Sequence, residues 1–237
     1  MLNIKPKLFK NKVVFNASKK FNIFTTTKNV FCNKTNLPKI LKKLNIPKKF
    51  NILICEQVHG RKVKFISTPK VVKTYGYRIS FNKNIDGIIT NHNNNLVCIF
   101  TADCVPLFFF NEPRNVFGII HIGRKGVLCG IVESLINKIM KYDISNFKFI
   151  LGPHICEKCY KIDKKLAKGS KYGFDKKTNL FSLKKEIIGR LLKFGINIEK
   201  IGVSYFCTYH NNSKFYSYRR GDNEQRIVSL IYNKSLK

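Results

Sequence analysis

Val116-Phe117-Gly118-Ile119-Ile120-His121-Ile122-Gly123-Arg124-Lys125-Gly126-Val127-Leu128 changes its period part-way along, and that change decides the fold class. Val116 to His121 is a β-branched and aromatic run of the kind that fills a buried strand. Past Gly123 and Gly126, the apolar residues Val127, Leu128, Ile131, Val132, Leu135, Ile136, Ile139 and Met140 recur at three and four, one face of a helix. His121 therefore sits at a strand-to-helix crossing. There the glycines let backbone approach a bound group, and the amide-rich helix start favours an anion.

The same alternation of element types extends outward. Asn51-Ile52-Leu53-Ile54-Cys55 reads as a strand running into Gln57-Val58-His59-Gly60. Ile85 to Thr90, Leu96 to Phe100 and Leu107 to Phe110 are further strands, the first two separated by the turn-forming Asn91-His92-Asn93-Asn94-Asn95. Downstream, Phe147 to Leu151 is a strand leading to Gly152-Pro153. Leu183 to Phe194 is a helix with Gly195 as its stop, and Ile201 to Phe206 and Ile227 to Tyr232 are strands. Strands and helices mix without a regular βαβ period, and neither repeat nor low-complexity linker interrupts them. Residues 1–237 are expected to form one α+β domain, long enough to bury a core without disulfides.

A formal charge of +32 would ordinarily indicate a nucleic-acid or anionic-membrane partner. Here the 45 basic residues are 37 Lys against 8 Arg, dispersed among abundant Asn, Ile and Phe, the mixture an AT-rich genome encodes. Sequence readers rely on Arg forks, so no specific nucleic-acid partner is expected, only salt-sensitive attraction to polyanions. The runs Lys5 to Lys12 and Lys39 to Lys49 read as solvated faces. Eight cysteines (32, 55, 98, 104, 129, 156, 159 and 207) do not form a disulfide framework, because Cys55, Cys98 and Cys129 lie inside apolar segments. No apolar leader opens the chain. The longest apolar stretch, Leu96 to Phe110, is broken by Thr101, Asp103 and Pro106 and is too short for a bilayer. A reducing cytoplasm, with no membrane partner, is the expected setting.

Three segments carry metal-capable side chains beside strand ends or glycine turns: His59 in 56–60, Cys104 in 101–106 and His121 in 121–126. Two imidazoles and a thiolate are a soft three-ligand set that suits zinc and leaves a fourth position for water or substrate. Cys156-x-x-Cys159 and Cys207-x-x-His210 could close a second tetrahedron. Their separation is long for a zinc ribbon and contains a helix, so unlinked thiols are the default reading. His92 and His154 read as exposed loop residues. Asp103, a lone acid in an apolar run, is either an orienter of the neighbouring ligands or a structural hydrogen-bonder; Asp86 could equally be a turn former. Tyr218-Arg219-Arg220 suits phosphate or a stacked ring, with a surface ion pair as the alternative.

QVHG (57–60), DGIIT (86–90), TADCVPLFF (101–109), GIIHIGRKG (118–126), LGPHICEKCY (151–160), CTYH (207–210) and FYSYRRGDNEQRIVSLI (215–231) occur in one order at characteristic intervals. Together they resemble the bacterial family known as purine nucleoside phosphorylases, laccase-domain polyphenol oxidases and peptidoglycan-editing factors, over about Ile52 to Ile231. The resemblance implies a layered α/β/β/α sandwich with mixed sheets. It implies one zinc ion held by His59, Cys104 and His121, with copper the less favoured metal and Asp103 adjacent in the catalytic set. Purine nucleoside and phosphate are the implied partners, adenosine or inosine giving free base and ribose 1-phosphate, with adenosine deamination a further activity of the same pocket. Lys125, Arg219 and Arg220 are the candidates to hold phosphate.

The chain also departs from the family pattern. HAGWRG reads HIGRKG here, so Arg124 replaces the tryptophan, and Lys125 keeps the arginine's charge but loses its planar fork. Phe24 to Phe31 stands where the family carries a glycine- and arginine-containing loop, and has neither residue. Two other enzyme readings remain open. Cys104 could be a thiolate nucleophile with His59 or His121 as its base, in a hydrolase or amidase acting on peptidoglycan precursors. A multicopper oxidase needs far more imidazoles than the five present, and Met140 on a helix face is a poor axial ligand. A non-catalytic basic binding protein is supported by net charge alone.

Overall fold

Thr101-Ala102-Asp103-Cys104 is the corner at which the chain leaves one β-sheet and enters another, and the functional side chains gather around it. The computed structural model describes residues 1–4, 6–30 and 36–234; Lys5, Phe31 and Cys32 lie outside the described residues. In chain order the strands are β1 (Lys7–Leu8), β2 (Lys12–Val14), β3 (Phe21–Thr26), β4 (Asn51–Cys55), β5 (Val63–Phe65), β6 (Val72–Thr74) and β7 (Tyr77–Asn82). They continue with β8 (Gly87–Thr90), β9 (Asn95–Thr101), β10 (Val105–Asn111), β11 (Val116–Ile122), β12 (Lys148–Leu151), β13 (Ile201–Val203) and β14 (Ile227–Asn233). The helices are α1 (Leu37–Lys43), α2 (Arg124–Leu128), α3 (Ile131–Ile139) and α4 (Leu183–Lys193).

The strands form an eight-stranded sheet in the order β1-β2-β3-β14-β9-β4-β7-β6 and a six-stranded sheet in the order β13-β12-β10-β11-β8-β5. Both are mixed. β4 runs parallel to β7 and β9, β12 to β13 and β5 to β8, while the remaining pairs are antiparallel. Period-two alternation sends successive side chains of a strand to different layers. Val97 and Ile99 of β9 meet Phe108 and Phe110 of β10 between the sheets. Leu96, Cys98 and Phe100 face α1 on one outer side, whereas Leu107 and Phe109 face α3 and α4 on the other. This is the expected single-domain α/β/β/α sandwich. Strands covered on both faces have no polar side to show, so they read as unbroken apolar runs.

The structure corrects several local expectations. The helix expected from Val127 to Met140 is two helices, because Gly130 adopts a left-handed conformation at φ 91° between α2 and α3. Met140 lies beyond the turn and is exposed. The strand expected over Ile201 to Phe206 ends at Val203. α1 explains the Lys39-to-Lys49 run: Leu37, Ile40 and Leu41 are buried while Lys39, Lys42 and Lys43 face solvent.

α4 is anchored by an acid. The buried Glu186 carboxylate accepts from Tyr172 N at 2.9 Å, Gly173 N at 2.8 Å, Ser170 Oγ at 2.8 Å and Arg190 Nε at 2.9 Å, and Arg190 reaches on to Glu133 of α3. Burial acts to raise its pKa, but the amides of Tyr172 and Lys171, the Ser170 hydroxyl and the Arg190 guanidinium together hold it below the ordinary 4.5. Glu186→Gln should therefore cost about 2–4 kcal/mol at neutral pH, since Arg190 and three loop amides lose a charged acceptor. A carboxyl with a lowered folded pKa stabilises fully above its unfolded value and loses that contribution as pH falls through the folded one. Urea denaturation of parent and variant should show the gap narrowing as pH drops below 4.5.

Candidate metal centre

Each of the three candidate ligands is delivered by a different element. The chain leaves β4 and turns through Gln57, whose side-chain amide donates to Phe100 O at 2.7 Å and accepts from Phe100 N at 2.8 Å, so the loop is pinned to β9. Two residues later His59 takes a left-handed conformation at φ 59°. Cys104 follows Asp103, itself at φ 80°, at the corner between the sheets, and His121 lies near the end of β11. The structure brings all three together: one ligand atom from each lies within 4.8 Å of the others. The imidazoles of His59 and His121 meet edge to face with centroids 4.7 Å apart.

The two glycines before and within α2 exist for this convergence. A Cβ on Gly123 would lie 2.9 Å from His59 Cδ2 and 3.0 Å from Cys104 Sγ, and one on Gly126 would lie 2.9 Å from Gly60 O. Any side chain at Gly123 would occupy the space between the ligands. The glycines thus admit the site itself as well as anything bound to it.

Asp86, which the sequence left as a turn former, is the residue that orients the set. Its buried carboxylate accepts from His59 N at 2.9 Å, Gly60 N at 2.8 Å and Val58 N at 3.3 Å, and its Oδ1 lies 2.8 Å from His121 Nδ1. Nδ1 of His121 is thereby engaged, which leaves Nε2 to face Cys104. Burial pushes the Cys104 thiol up, yet the facing His121 and His59 imidazoles outweigh it and bring it down to about 6. Burial likewise lowers His121, but the Cys104 thiolate and Asp86 carry it up to about 9. Each of the two thus favours the charged form of the other. Two imidazoles and a thiolate fit a borderline-soft cation, with one coordination position left open to the cleft.

That cleft has a volume of about 1160 Å³ and is lined by all three ligands. Lys125 and Arg219 line it, and so do Arg124 and Arg226, which sequence reasoning did not select. Arg219 lies 5.1 Å over the ring of Tyr160, another lining residue, and donates to Lys161 O at 3.0 Å. Among the described residues no salt bridge neutralises Arg124, Lys125, Arg219 or Arg226. Arg220 is different. Its guanidinium is spent on Thr208 O, Tyr209 O, Phe215 O and Asp222 Oδ2, and it does not line the cleft, so the geometry does not bear out a phosphate-holding Arg220.

Asp103 resolves to the structural hydrogen-bonder of its two readings. Oδ1 accepts from Thr208 Oγ1 and Oδ2 from Arg219 N, each at 2.7 Å. It therefore positions Arg219 in place of taking part at the ligands. His154, expected to be exposed, is buried with Nδ1 at 2.7 Å from Gly152 O. Cys156, Cys159, Cys207 and His210, read by default as unlinked, converge with their ligand atoms within 4.8 Å of one another. A long sequence gap hid this, because contact is made through a β-bridge between His154 and Cys207.

Residues 18–234 match the family described as multi-copper polyphenol oxidoreductase laccase. The chain belongs to this family. Among its curated relatives is a Campylobacter jejuni protein named purine nucleoside phosphorylase Cj1217c, 27% identical over 90% of this chain and 91% of its own length. Another is the Bacillus subtilis purine nucleoside phosphorylase YlmD, 28% identical over 76% of this chain and 69% of its own. The fold matches the crystal structure of YlmD from Geobacillus stearothermophilus with a TM-score of 0.81, 21% identity and coverage of 98% of this chain and 99% of that one. Among the described residues of this laccase-family chain, no helix is long and apolar enough to cross a membrane.

Asp86→Asn tests the orienting role. The amide can still accept hydrogen bonds but no longer offers a charge to His121, so affinity for a divalent cation should fall about 10- to 100-fold. Competition titrations against a chromophoric chelator measure it, and an unchanged affinity would remove Asp86 from the account.

Proposed function

We propose that this chain is a zinc-dependent purine nucleoside phosphorylase that splits adenosine or inosine with phosphate into free base and ribose 1-phosphate. The observation that carries the reading is the meeting of an open His59–Cys104–His121 ligand set with a cleft lined by unneutralised Arg124, Lys125, Arg219 and Arg226. Relatives bearing the phosphorylase name support the substrate class. In this reading Arg219, Arg226 and Lys125 hold the phosphate dianion and partly neutralise it near the sugar C1′. Tyr160 and Tyr218 line the same cleft and offer ring faces to a purine. A cation held by His59, Cys104 and His121 would supply Lewis acidity to a bound oxygen. Free thiols at Cys104, Cys156, Cys159 and Cys207 suit a reducing compartment such as the cytoplasm. Copper at the same three ligands is the alternative metal. A multicopper centre lacks ligands: His154 is bonded to Gly152 O, and His92 lies exposed in a turn where Nδ1 accepts from Asn94 N.

One observation favours a second reading. Asp86, His121 and Cys104 stand in the order orienter, base and nucleophile, with the Cys104 thiol at about 6. That arrangement suits a Cys-dependent hydrolase or amidase.

Turnover of inosine and adenosine with and without phosphate separates the readings. The phosphorylase should release base only with phosphate, lose activity to a chelator and regain it with zinc. Cys104→Asp should keep residual turnover, because a carboxylate can still ligate zinc. Arg226→Ala should lower kcat/KM for phosphate about 10- to 100-fold through one lost charge-assisted contact. Deamination would show as inosine formed from adenosine without phosphate. Activity indifferent to chelator but abolished by a thiol alkylator would overturn the phosphorylase in favour of the hydrolase.

A further inference from the structure

We infer that Cys156, Cys159, Cys207 and His210 form a second metal site, a closed Cys₃His set for a structural zinc ion that shares no ligand with the His59–Cys104–His121 centre. The four ligand atoms lie within 4.8 Å of one another, a spread that a tetrahedral cation of this type can draw together. His210 Nε2 is 3.0 Å from Cys159 Sγ, and its Nδ1 is 3.7 Å from Cys156 Sγ.

The backbone is shaped for such a cation. Cys156 opens the single 3₁₀ turn Glu157–Cys159, closed by Cys159 N donating to Cys156 O at 3.1 Å, which turns both sulfurs of the CxxC pair to one side. Cys207 Sγ accepts from Cys156 N at 3.3 Å and from His210 N at 3.5 Å, which ties the sulfur to the backbone of both halves of the set. The two halves are locked side by side by the parallel bridge His154–Cys207 and by Thr208 N donating to His154 O at 3.1 Å. Cys207 is buried, Cys156 and Cys159 are half-buried and His210 is exposed, so the set opens to solvent along one edge through which a cation can enter.

Three sulfurs and one imidazole leave no position free for water, which makes the site structural. Its place explains what it would hold. Tyr160 follows Cys159 directly and lines the cleft, while Thr208 follows Cys207 and donates to the Asp103 carboxylate that also receives Arg219 N. The ion would staple the loop bearing Tyr160 to the loop that supports Arg219. This inference does not rest on the phosphorylase reading.

The test is metal content of the full chain, expressed with zinc and purified anaerobically, in a background from which the first site has been removed. His59→Ala with Cys104→Ala should still carry one zinc ion per chain, and adding Cys156→Ser with Cys159→Ser should leave none. Cobalt(II) in the first background should give thiolate charge-transfer and tetrahedral ligand-field absorption, with the ligand-field bands shifted by His210→Ala and the charge-transfer band lost on the double serine change. His210 is exposed, so that variant probes ligation without opening the core. Should the combined variants fail to fold, the parent decides: two zinc ions per chain support the site, and one ion with Cys156 and Cys159 freely alkylated overturns it. Absence of metal from the His59→Ala, Cys104→Ala protein, or a Cys156–Cys159 disulfide in its place, overturns it equally.

Discussion

One buried carboxylate holds the candidate centre together. Asp86 is fully enclosed, and it takes three consecutive amides of the Val58–Gly60 turn as well as the His121 ring. Its own carbonyl receives His121 N at 2.6 Å, so the strand bearing His121 is fixed by backbone and side chain alike. An unpaired buried anion would be prohibitive, and these four donors are what make it tolerable. The left-handed His59 costs conformational energy for a residue other than glycine, and Asp86 is the partner that offsets it. Despite burial, Asp86 stays below the ordinary carboxylate range through its hydrogen bonds from His121, Gly60 and His59. Ligand geometry therefore depends on a residue that is not itself a ligand.

Asp103 does for the cationic wall of the cleft what Asp86 does for the candidate ligands. At φ 80° it turns the chain between sheets, delivering Cys104 to the centre while its carboxylate faces the opposite way toward Thr208 and Arg219. Ile155 N closes on its carbonyl at 3.0 Å, bringing in the segment that continues to Cys156 and Tyr160. Arg220 fastens the far end by donating to Thr208 O and Tyr209 O. One corner of chain thus touches the candidate ligand set, the cationic wall and the loops bearing Cys156 and Cys207.

What the sequence disclosed follows from where the signal lies. β4, β8 to β12 and β14 were legible because strands buried on both faces are unbroken apolar runs, and α4 because Gly195 at φ 77° marks its end. The short strands β1, β2, β5 and β6 were not, since segments of two or three residues interrupted by Lys carry no such run. His59, Cys104 and His121 were recoverable because motifs mark them. Asp86 was not: it works by accepting backbone amides, and no spacing rule encodes which amides will face a given carboxylate. Cys156, Cys159, Cys207 and His210 were named as a set but not favoured, because the halves are neighbours only through a bridge between distant segments.

The shortage of acids gives the cleft its character. Against 45 basic residues there are 13 acidic ones, and the best placed of them are committed to ordering backbone. Asp86, Asp103 and Glu186 accept from amides inside the protein, Asp163 and Asp175 cap turns, and Asp222 serves Ser217 N and Arg220. Among the described residues, Glu224 is the one acid lining the cleft besides Asp103, whose oxygens are taken, and it lies beside four cationic side chains. Exposed Lys elsewhere contribute a diffuse potential that salt screens within about 8–10 Å. Within the cleft, Arg219 stacked on Tyr160 is held in place and feels less screening. In the proposed phosphorylase, the global charge would set how often an anion arrives, and the guanidinium groups beside His59, Cys104 and His121 would set where it stops.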